Sequence, residues 1–438
     1  MSTTEEETNA AAIGETPAPA VDPALIDANL AESLPEYMRA WAKRIRGGET
    51  GLLPVLGGLV VIVIVFQSQK STFLSASNLV NLIGQASYFV VFGMAEVFVL
   101  LLGEIDLSAG YTALCGGAVT TILVDQTYHY PSWVAVLAGL ALCVGLGLVQ
   151  GLLVTRLRLP SFVVTLGGLL AMEGVLLLIF NAWAGGQGGS VRLPNTGVLH
   201  DLVNGQVTPA AGWITVVVLI VAYAAFMLTR DRQRRASGLV APPLGLTLLK
   251  IVGVAVAGVV IVLICNTNTS SFKRFGAKVE GVPWSVFVIL AIALGMTFLL
   301  GRTRFGRYVF AVGGNAEAAR RAGINVTRIR LMCFVLCSLL AGVAGLFYVS
   351  YIQESTTSVD GGSLVLYAVA AAVIGGTSLF GGRGKIVHAV IGGLVVATIN
   401  NGMALIGLNA DGQDIVTALV LVAAATVDAL ARRGAAKA

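Results

Sequence analysis

Residues 301–330 read GRTRFGRYVFAVGGNAEAARRAGINVTRIR. The stretch carries seven arginines, at positions 302, 304, 307, 320, 321, 328 and 330, inside an otherwise apolar chain. Apolar runs flank it at about 284–301 and 331–351. Residues 315–323 predict a short helix. Asn315 is placed to cap it, Glu317 lies in the first turn near the positive helix end, and Gly323 closes it. A basic helix between two membrane-length runs is either a handle on the cytoplasmic face or an ordinary positively charged loop, and these residues alone leave both readings open.

The rest of the chain supplies the setting. Of 438 residues, 56% are hydrophobic and 12% charged, with a mean hydropathy of +0.85. A soluble domain has about 25% charged residues. Several apolar windows, about 17 to 24 residues long, match a hydrocarbon core about 30 Å thick. They are continuous rather than alternating, which argues against a closed barrel. The expected fold is an all-α, polytopic transmembrane helix bundle of about twelve spans. They fall near 51–67, 82–102, 110–124, 132–154, 162–181, 212–229, 246–264, 284–301, 331–351, 364–380, 386–408 and 414–430.

With the N-terminus inside, 23 of the 28 lysines and arginines fall on the cytoplasmic side and five outside. That asymmetry places both termini in the cytoplasm and the net charge of +5 on a membrane face, not on nucleic acid. Residues 1–47 read as a cytoplasmic tail, disordered over 1–36 and juxtamembrane over 37–46, with no apolar core for a signal peptide. The transmembrane domain is expected over 48–433, with 302–330 cytoplasmic and 434–438 a short tail. Two outside segments, 182–211 and 266–283, are longer than a tight turn and read equally as partner docking sites or as plain loops. The five cysteines lie in or beside apolar spans without metal-ligand spacing and read as small core residues.

Two breaks interrupt the apolar pattern. The first, Gly103-Glu104-Ile105-Asp106-Leu107-Ser108-Ala109-Gly110, sets two carboxylates at the end of a span, where Asp106 or Ser108 could cap the next helix. The second runs from Gly375-Gly376-Thr377-Ser378 to Gly381-Gly382-Arg383-Gly384. Both separate an inward-going from an outward-going span, which suggests an internal repeat of about five spans. The second run lacks the Gly-Lys-Ser/Thr ending of a phosphate loop. Intramembrane polar residues are few: Gln85 and Glu96, then Glu173, then Asn400 and Asn401. They could serve a solute path or bond helices to one another. A nucleotide site, a metal cluster, a catalytic constellation and an ion-pair chain of the kind a proton-coupled carrier uses are all absent from the sequence, so uphill transport would draw its energy from another subunit.

At these residues the chain resembles a known family. GEIDLSAG (103–110) looks like the GGIDLS-type motif of bacterial ribose/xylose-type ABC sugar permeases. Residues 306–330 look like their cytoplasmic coupling loop, and AVAAAVIGGTSLFGGRGK (368–385) with NNGMALIGL (400–408) like their C-terminal signature. The resemblance spans roughly 51–433, and the inserted 230–283 region with its RDRQRR loop is most similar to the xylose or multiple-sugar branch. Glu104 departs from the usual second glycine of the first motif, and the N-terminal tail is long.

The resemblance implies a non-catalytic permease subunit in the bacterial cytoplasmic membrane, importing xylose or a related aldose. Its implied partners are a second permease copy, a tandem-domain ATPase that binds ATP and Mg, and an extracytoplasmic sugar-binding protein. The coupling segment would comprise Gly313, Gly314, Asn315, Glu317, Ala318, Arg320, Arg321 and Gly323. Arg320 and Arg321 would pair with acidic groups of the ATPase, and Gly313 and Gly314 would let the chain turn tightly. The candidate path and break residues are Gln85, Glu96, Glu104, Asp106, Ser108, Gly375, Gly376, Thr377, Ser378, Asn400 and Asn401. A branched-chain amino acid, a nucleoside or an autoinducer sugar is the alternative cargo, and a self-contained secondary carrier the alternative class.

Overall fold

A helix that is apolar all round either faces lipid or sits at the centre of a bundle. Both kinds occur in the computed structural model, which describes residues 53–125, 128–183, 189–239, 241–269, 279–409 and 411–420, with Arg39, Val422 and Thr426. The elements are α1 (Leu53–Gln69), α2 (Ala76–Leu100), α3 (Ala109–Val124), α4 (Ser132–Arg156), α5 (Ser161–Trp183), β1 (Ser190–Arg192), α6 (Val198–Asn204), α7 (Pro209–Ala236) and α8 (Leu244–Cys265). There follow α9 (Trp284–Arg302), α10 (Arg304–Gly314), α11 (Ala316–Arg321), α12 (Val326–Ile352), β2 (Glu354–Thr356), α13 (Gly361–Ile374) and α14 (Ile386–Leu405). The expected tails, 1–47 apart from Arg39 and 434–438, and residues 184–188 and 270–278 of the two segments read as outside loops, lie outside the described residues.

The expectation of twelve spans is corrected. Among the described residues eight helices are long and apolar enough to cross a membrane: α2, α4, α5, α7, α8, α9, α12 and α14. Helices α1, α3 and α13 are apolar but only 17, 16 and 14 residues long. At 1.5 Å per residue, α3 reaches about 24 Å and α13 about 21 Å, short of the hydrocarbon thickness. The expected span at 364–380 overran α13, because 375–380 belong to the second break. The last expected span, 414–430, is described as helix only to 420 apart from isolated residues. The protein is a multi-pass membrane helix bundle.

The core forms in the larger of two compact units, Gly51–Val217 with Gly258–Ala438. Its centre is α2, whose residues 84–100 are all buried, including Phe89, Phe92, Met94 and Phe98. Helices α12, α13 and α14 pack against α2, and α3, α4 and α12 pack against one another. Small residues allow this closeness: a Cβ on Gly139 of α4 would stand 2.5 Å from the Gly116 carbonyl of α3. The two short helices begin side by side, with Gly110 against the Gly361 carbonyl and the Tyr111 hydroxyl 3.5 Å from Asp360 Oδ1. Asp360 caps α13 by accepting from the Gly362 and Ser363 amides at 2.9 Å each. Asp360→Ala therefore costs about 1 kcal/mol in a detergent-solubilised melt, and Asp360→Asn recovers most of it. An unchanged melting temperature in Asp360→Ala would show that α13 is held by packing alone.

The all-α expectation acquires one exception, an antiparallel ribbon pairing Ser190 with Thr356 and Arg192 with Glu354. The two segments read as outside loops are tied together among their described residues. Val207 N–H donates to the Val282 carbonyl at 3.0 Å and Trp284 N–H to the Gly205 carbonyl at 3.1 Å, so the segments pair with each other. Asn204 also donates to the Ser350 carbonyl at 2.7 Å, which holds α6 against the last turns of α12. The smaller unit includes Val218–Ala257. Within it Asp231 accepts from Arg230 at 3.0 Å and from the Thr247 hydroxyl at 2.6 Å, which fastens the basic end of α7 to α8.

Candidate functional site

The arginine-rich stretch folds as two helices, not one. Thr303 caps α10 by accepting from the Gly306 amide, and Gly306, Val309 and Val312 are buried. The turn comes at Asn315, whose backbone is extended and whose Oδ1 accepts from the Ala318 amide at 2.9 Å to start α11. Gly323, at φ +82°, closes α11 with paired bonds from the Gly323 amide to the Arg320 carbonyl and from Ile324 to Ala319. Glu317 accepts from Arg320 at 2.6 Å and from Arg321 at 3.3 Å, so both guanidinium groups share one exposed carboxylate.

The expected role of Gly313 and Gly314 in a tight turn is corrected, because both lie in the last turn of α10. Gly313 is needed for close approach: its Cβ would fall 1.8 Å from the Leu101 carbonyl and 3.0 Å from the Gly382 amide. Gly314 meets nothing within 4 Å.

That contact brings α10 against both breaks. In the first, Gly103 turns the chain at φ +75° directly after α2 and lies against the Phe380 carbonyl. In the second, Gly376, Gly381 and Gly382 have φ of +92°, +84° and +72°. The Gly382 amide donates to the Leu101 carbonyl at 2.8 Å. A Cβ on Gly381 would meet both the Gly103 amide and the Gly313 carbonyl at 2.9 Å. Positive φ and the lack of room for a methyl group demand glycine here on two separate grounds. Ser378 N–H bonds the Arg383 carbonyl, Thr377 N–H bonds Ala372, and both side chains are buried. Gly375 lies against the His388 carbonyl of α14.

The first break is tied to its neighbours by polar side chains. Asp106 Oδ1 accepts from the Ser108 amide at 3.0 Å and from its hydroxyl at 2.6 Å, and Ser108 Oγ accepts from Gln150 of α4 at 2.6 Å. Thr165 of α5 donates to the Ile105 carbonyl at 3.2 Å. Glu104 Oε1 stands 3.0 Å from Arg330 Nε of α12. Neither Asp106 nor Ser108 caps α3 by a side-chain bond to its first-turn amides, which corrects that expectation: they join α3 to α4 instead. Glu96 of α2 is wholly buried, with the Cys337 thiol 4.0 Å from its Oε1. Glu96 Oε2, Glu104 Oε2, Asp106 Oδ2, Gln150 Oε1 and Thr377 Oγ1 are buried without a hydrogen-bond partner among the described residues.

Asp106→Ala removes two bonds to Ser108 and is expected to cost about 1 to 3 kcal/mol of stability, with a matching loss of transport. Asp106→Asn, which keeps an acceptor, loses less. Wild-type melting and uptake in the alanine variant would reduce Asp106 to a bystander.

Gln85, Asn400 and Asn401 gather elsewhere. Gln85 donates to Asn400 at 2.5 Å, Asn400 to Gln413 at 3.3 Å, and Asn78 to Asn401 at 2.9 Å. This amide ladder joins α2 to α14 and the helical stretch at 411–420. Gln150, Thr165 and Arg330 were not among the expected site residues. Gln150 had a signal, as the one amide in the apolar span 132–154; Thr165 and Arg330 had none that distinguished them from their neighbours.

Comparison with known proteins places this arrangement. The profile of the branched-chain amino acid transport system/permease component family matches residues 78–234 and 247–425. The chain is 31% identical to the xylose transport system permease protein of Escherichia coli, over 86% of this chain and 92% of that one. It is 30% identical to the ribose import permease protein of the same organism, covering 84% and 91%. With its D-allose transport system permease protein the identity is 29%, covering 85% and 90%. No solved structure matches the chain. The family match runs through both breaks and the arginine-rich helices. The chain belongs to this permease family, among the non-catalytic permease subunits of bacterial ABC sugar importers.

Proposed function

We propose that this permease imports xylose or a closely related aldose, as one of two identical copies forming the path through the bacterial cytoplasmic membrane. A tandem-domain ATPase binding ATP and Mg sits beneath it, and an extracytoplasmic binding protein delivers the sugar. Both termini face the cytoplasm. Helix α11 is the coupling helix, and Arg320 and Arg321 pair with acidic groups of the ATPase. The similarity to sugar permeases over nearly their whole length supports the cargo class.

The convergence of Gly313 with Gly103 and Gly381 carries the mechanism. A push on α11 travels through α10 to both breaks with no flexible side chain between. The breaks are suited to two states, since several of their buried oxygens are unpartnered and another arrangement can bond them as well. Nucleotide or sugar then shifts the populations only through different affinity for the two states. Glu104, Asp106, Ser108, Gly375, Gly376, Thr377 and Ser378 form the moving joint. Gln85, Glu96, Asn400 and Asn401 supply polar groups to the path.

The test is co-expression with the candidate tandem ATPase and reconstitution with candidate binding proteins. A complex whose ATP hydrolysis rises with xylose-loaded binding protein supports the reading. Stimulation by ribose, allose or leucine instead replaces the cargo and keeps the mechanism. Uptake that persists without ATP and follows an ion gradient overturns both.

A further inference from the structure

A cavity of about 730 Å³ opens at the arginine-rich end of the larger unit, between the α4–α5 turn, the first break and the start of α12. Its charged groups are in different states. Arg330 is committed to Glu104, and Arg320 to Glu317. Arg158 has no hydrogen bond or ion pair among the described residues, and its backbone is held at φ +56°, where a side chain is disfavoured. Facing these cations is an acceptor. Glu104 is only 8% exposed, and its Oε2 has no hydrogen-bond partner among the described residues. Hydroxyls of Thr155, Ser161 and Thr327 complete a lining that sets a free cation beside a buried, unpartnered carboxylate oxygen.

The outer edge of the cavity is apolar. Leu157 and Leu159 of the turn are exposed, and from Ser161 the exposed side chains Phe162, Leu166 and Leu170 recur every four residues along one face of α5. Leu177 and Leu178 extend the exposed apolar surface, so it runs about 24 Å up the helix from Phe162. A polar, doubly charged cavity opening onto a long apolar ridge matches one kind of molecule.

We propose that the cavity holds the headgroup of a zwitterionic phospholipid with a primary ammonium, phosphatidylethanolamine in chemical type. Arg158 takes the phosphate, Glu104 Oε2 accepts from the ammonium, and an acyl chain lies along α5. Basic pockets between membrane helices bind lipid headgroups by the same electrostatics. The unpartnered Oε2 of Glu104 selects the ammonium over an acidic headgroup. This site is independent of which sugar the protein carries.

The test uses the full chain, purified in mild detergent and titrated separately with dioleoyl phosphatidylethanolamine, phosphatidylcholine, phosphatidylglycerol and inorganic phosphate. Native mass spectrometry counts retained lipid, and thermal melting reports stabilisation. One phosphatidylethanolamine per protomer is expected, bound about tenfold more tightly than phosphatidylcholine, whose quaternary nitrogen cannot donate to Glu104. Arg158→Gln lowers its affinity about tenfold. Arg156→Gln, of equal charge but outside the cavity, leaves it unchanged. Arg158 is exposed and unpartnered, so its variant folds; Glu104→Gln, which disturbs the Arg330 pair, is read only for the loss of headgroup preference. Equal retention of all lipids, or by wild type and Arg158→Gln alike, overturns the site. Inorganic phosphate stabilising as well as the lipid overturns the lipid and leaves a free-anion site. Loss of the cavity's lipid on adding the ATPase, with no effect of Arg158→Gln on lipid, assigns the arginines to an acidic protein surface and overturns the proposal.

Discussion

Gly313→Ala lowers sugar uptake at least about tenfold and Gly313→Val abolishes it, whereas Gly314→Ala, one residue later, leaves uptake intact. Both glycines lie in the last turn of α10, so local helix preference favours alanine at either position, by about 1 kcal/mol. Their surroundings decide the difference. The added methyl at 313 would stand 1.8 Å from the Leu101 carbonyl, and at 314 nothing lies within 4 Å. A backbone carbonyl has no rotamer to escape into, so α10 itself must move away from the breaks. Overpacking of this kind costs about 1 to 3 kcal/mol. Uptake should fall further than stability alone explains, because the moved contact is the one that carries force. Uptake in membrane vesicles, normalised to folded protein by size exclusion, checks it. Normal uptake by Gly313→Ala would mean that the path from α11 to the breaks runs elsewhere.

Arg320→Glu with Arg321→Glu abolishes uptake and ATPase association while leaving the permease in the membrane. Both arginines are exposed, at 64% and 81% of the side chain, so their shared pairing with Glu317 contributes little to stability. Reversal places three carboxylates on one short helix and removes the cations from its C-terminal turn, at a cost of about 0.5 kcal/mol per unfavourable pair. The fold tolerates that, since α11 remains capped by Asn315 and Gly323. An interface that needs cations does not. Replacing both by lysine keeps the charge and should restore part of the activity. Co-purification with the ATPase separates the two causes: a variant that still binds but does not transport moves the coupling role away from these arginines.

Much of this was legible in the chain. Asn315 and Gly323 mark the ends of α11 because cap chemistry is local: a side-chain oxygen reaches an amide three residues on, and a positive φ suits glycine. The breaks at 103–110 and 375–384 are legible because carboxylates and paired glycines are costly within an apolar span. The motifs around them resemble the permease family that comparison then showed. The span number was not legible. Hydropathy sums apolar residues regardless of whether they face lipid or protein, so buried short helices such as α3 and α13 scored like full crossings.

The sequence by itself determined the solvent of the protein and the two positions where breaks interrupt its apolar helices. Each follows from residue type and short-range spacing. Only the tertiary structure decided which stops meet. Residues 103, 313 and 381 lie far apart in the chain, the first and last in the breaks and the second on α10, so no local spacing marks which of them will touch. The need for a bare backbone at Gly313, the link from Asp106 through Ser108 to Gln150, and the free oxygen of Glu104 beside Arg330 all arise from that meeting. Close packing of backbones selects them, and close packing is a property of pairs of helices rather than of either one.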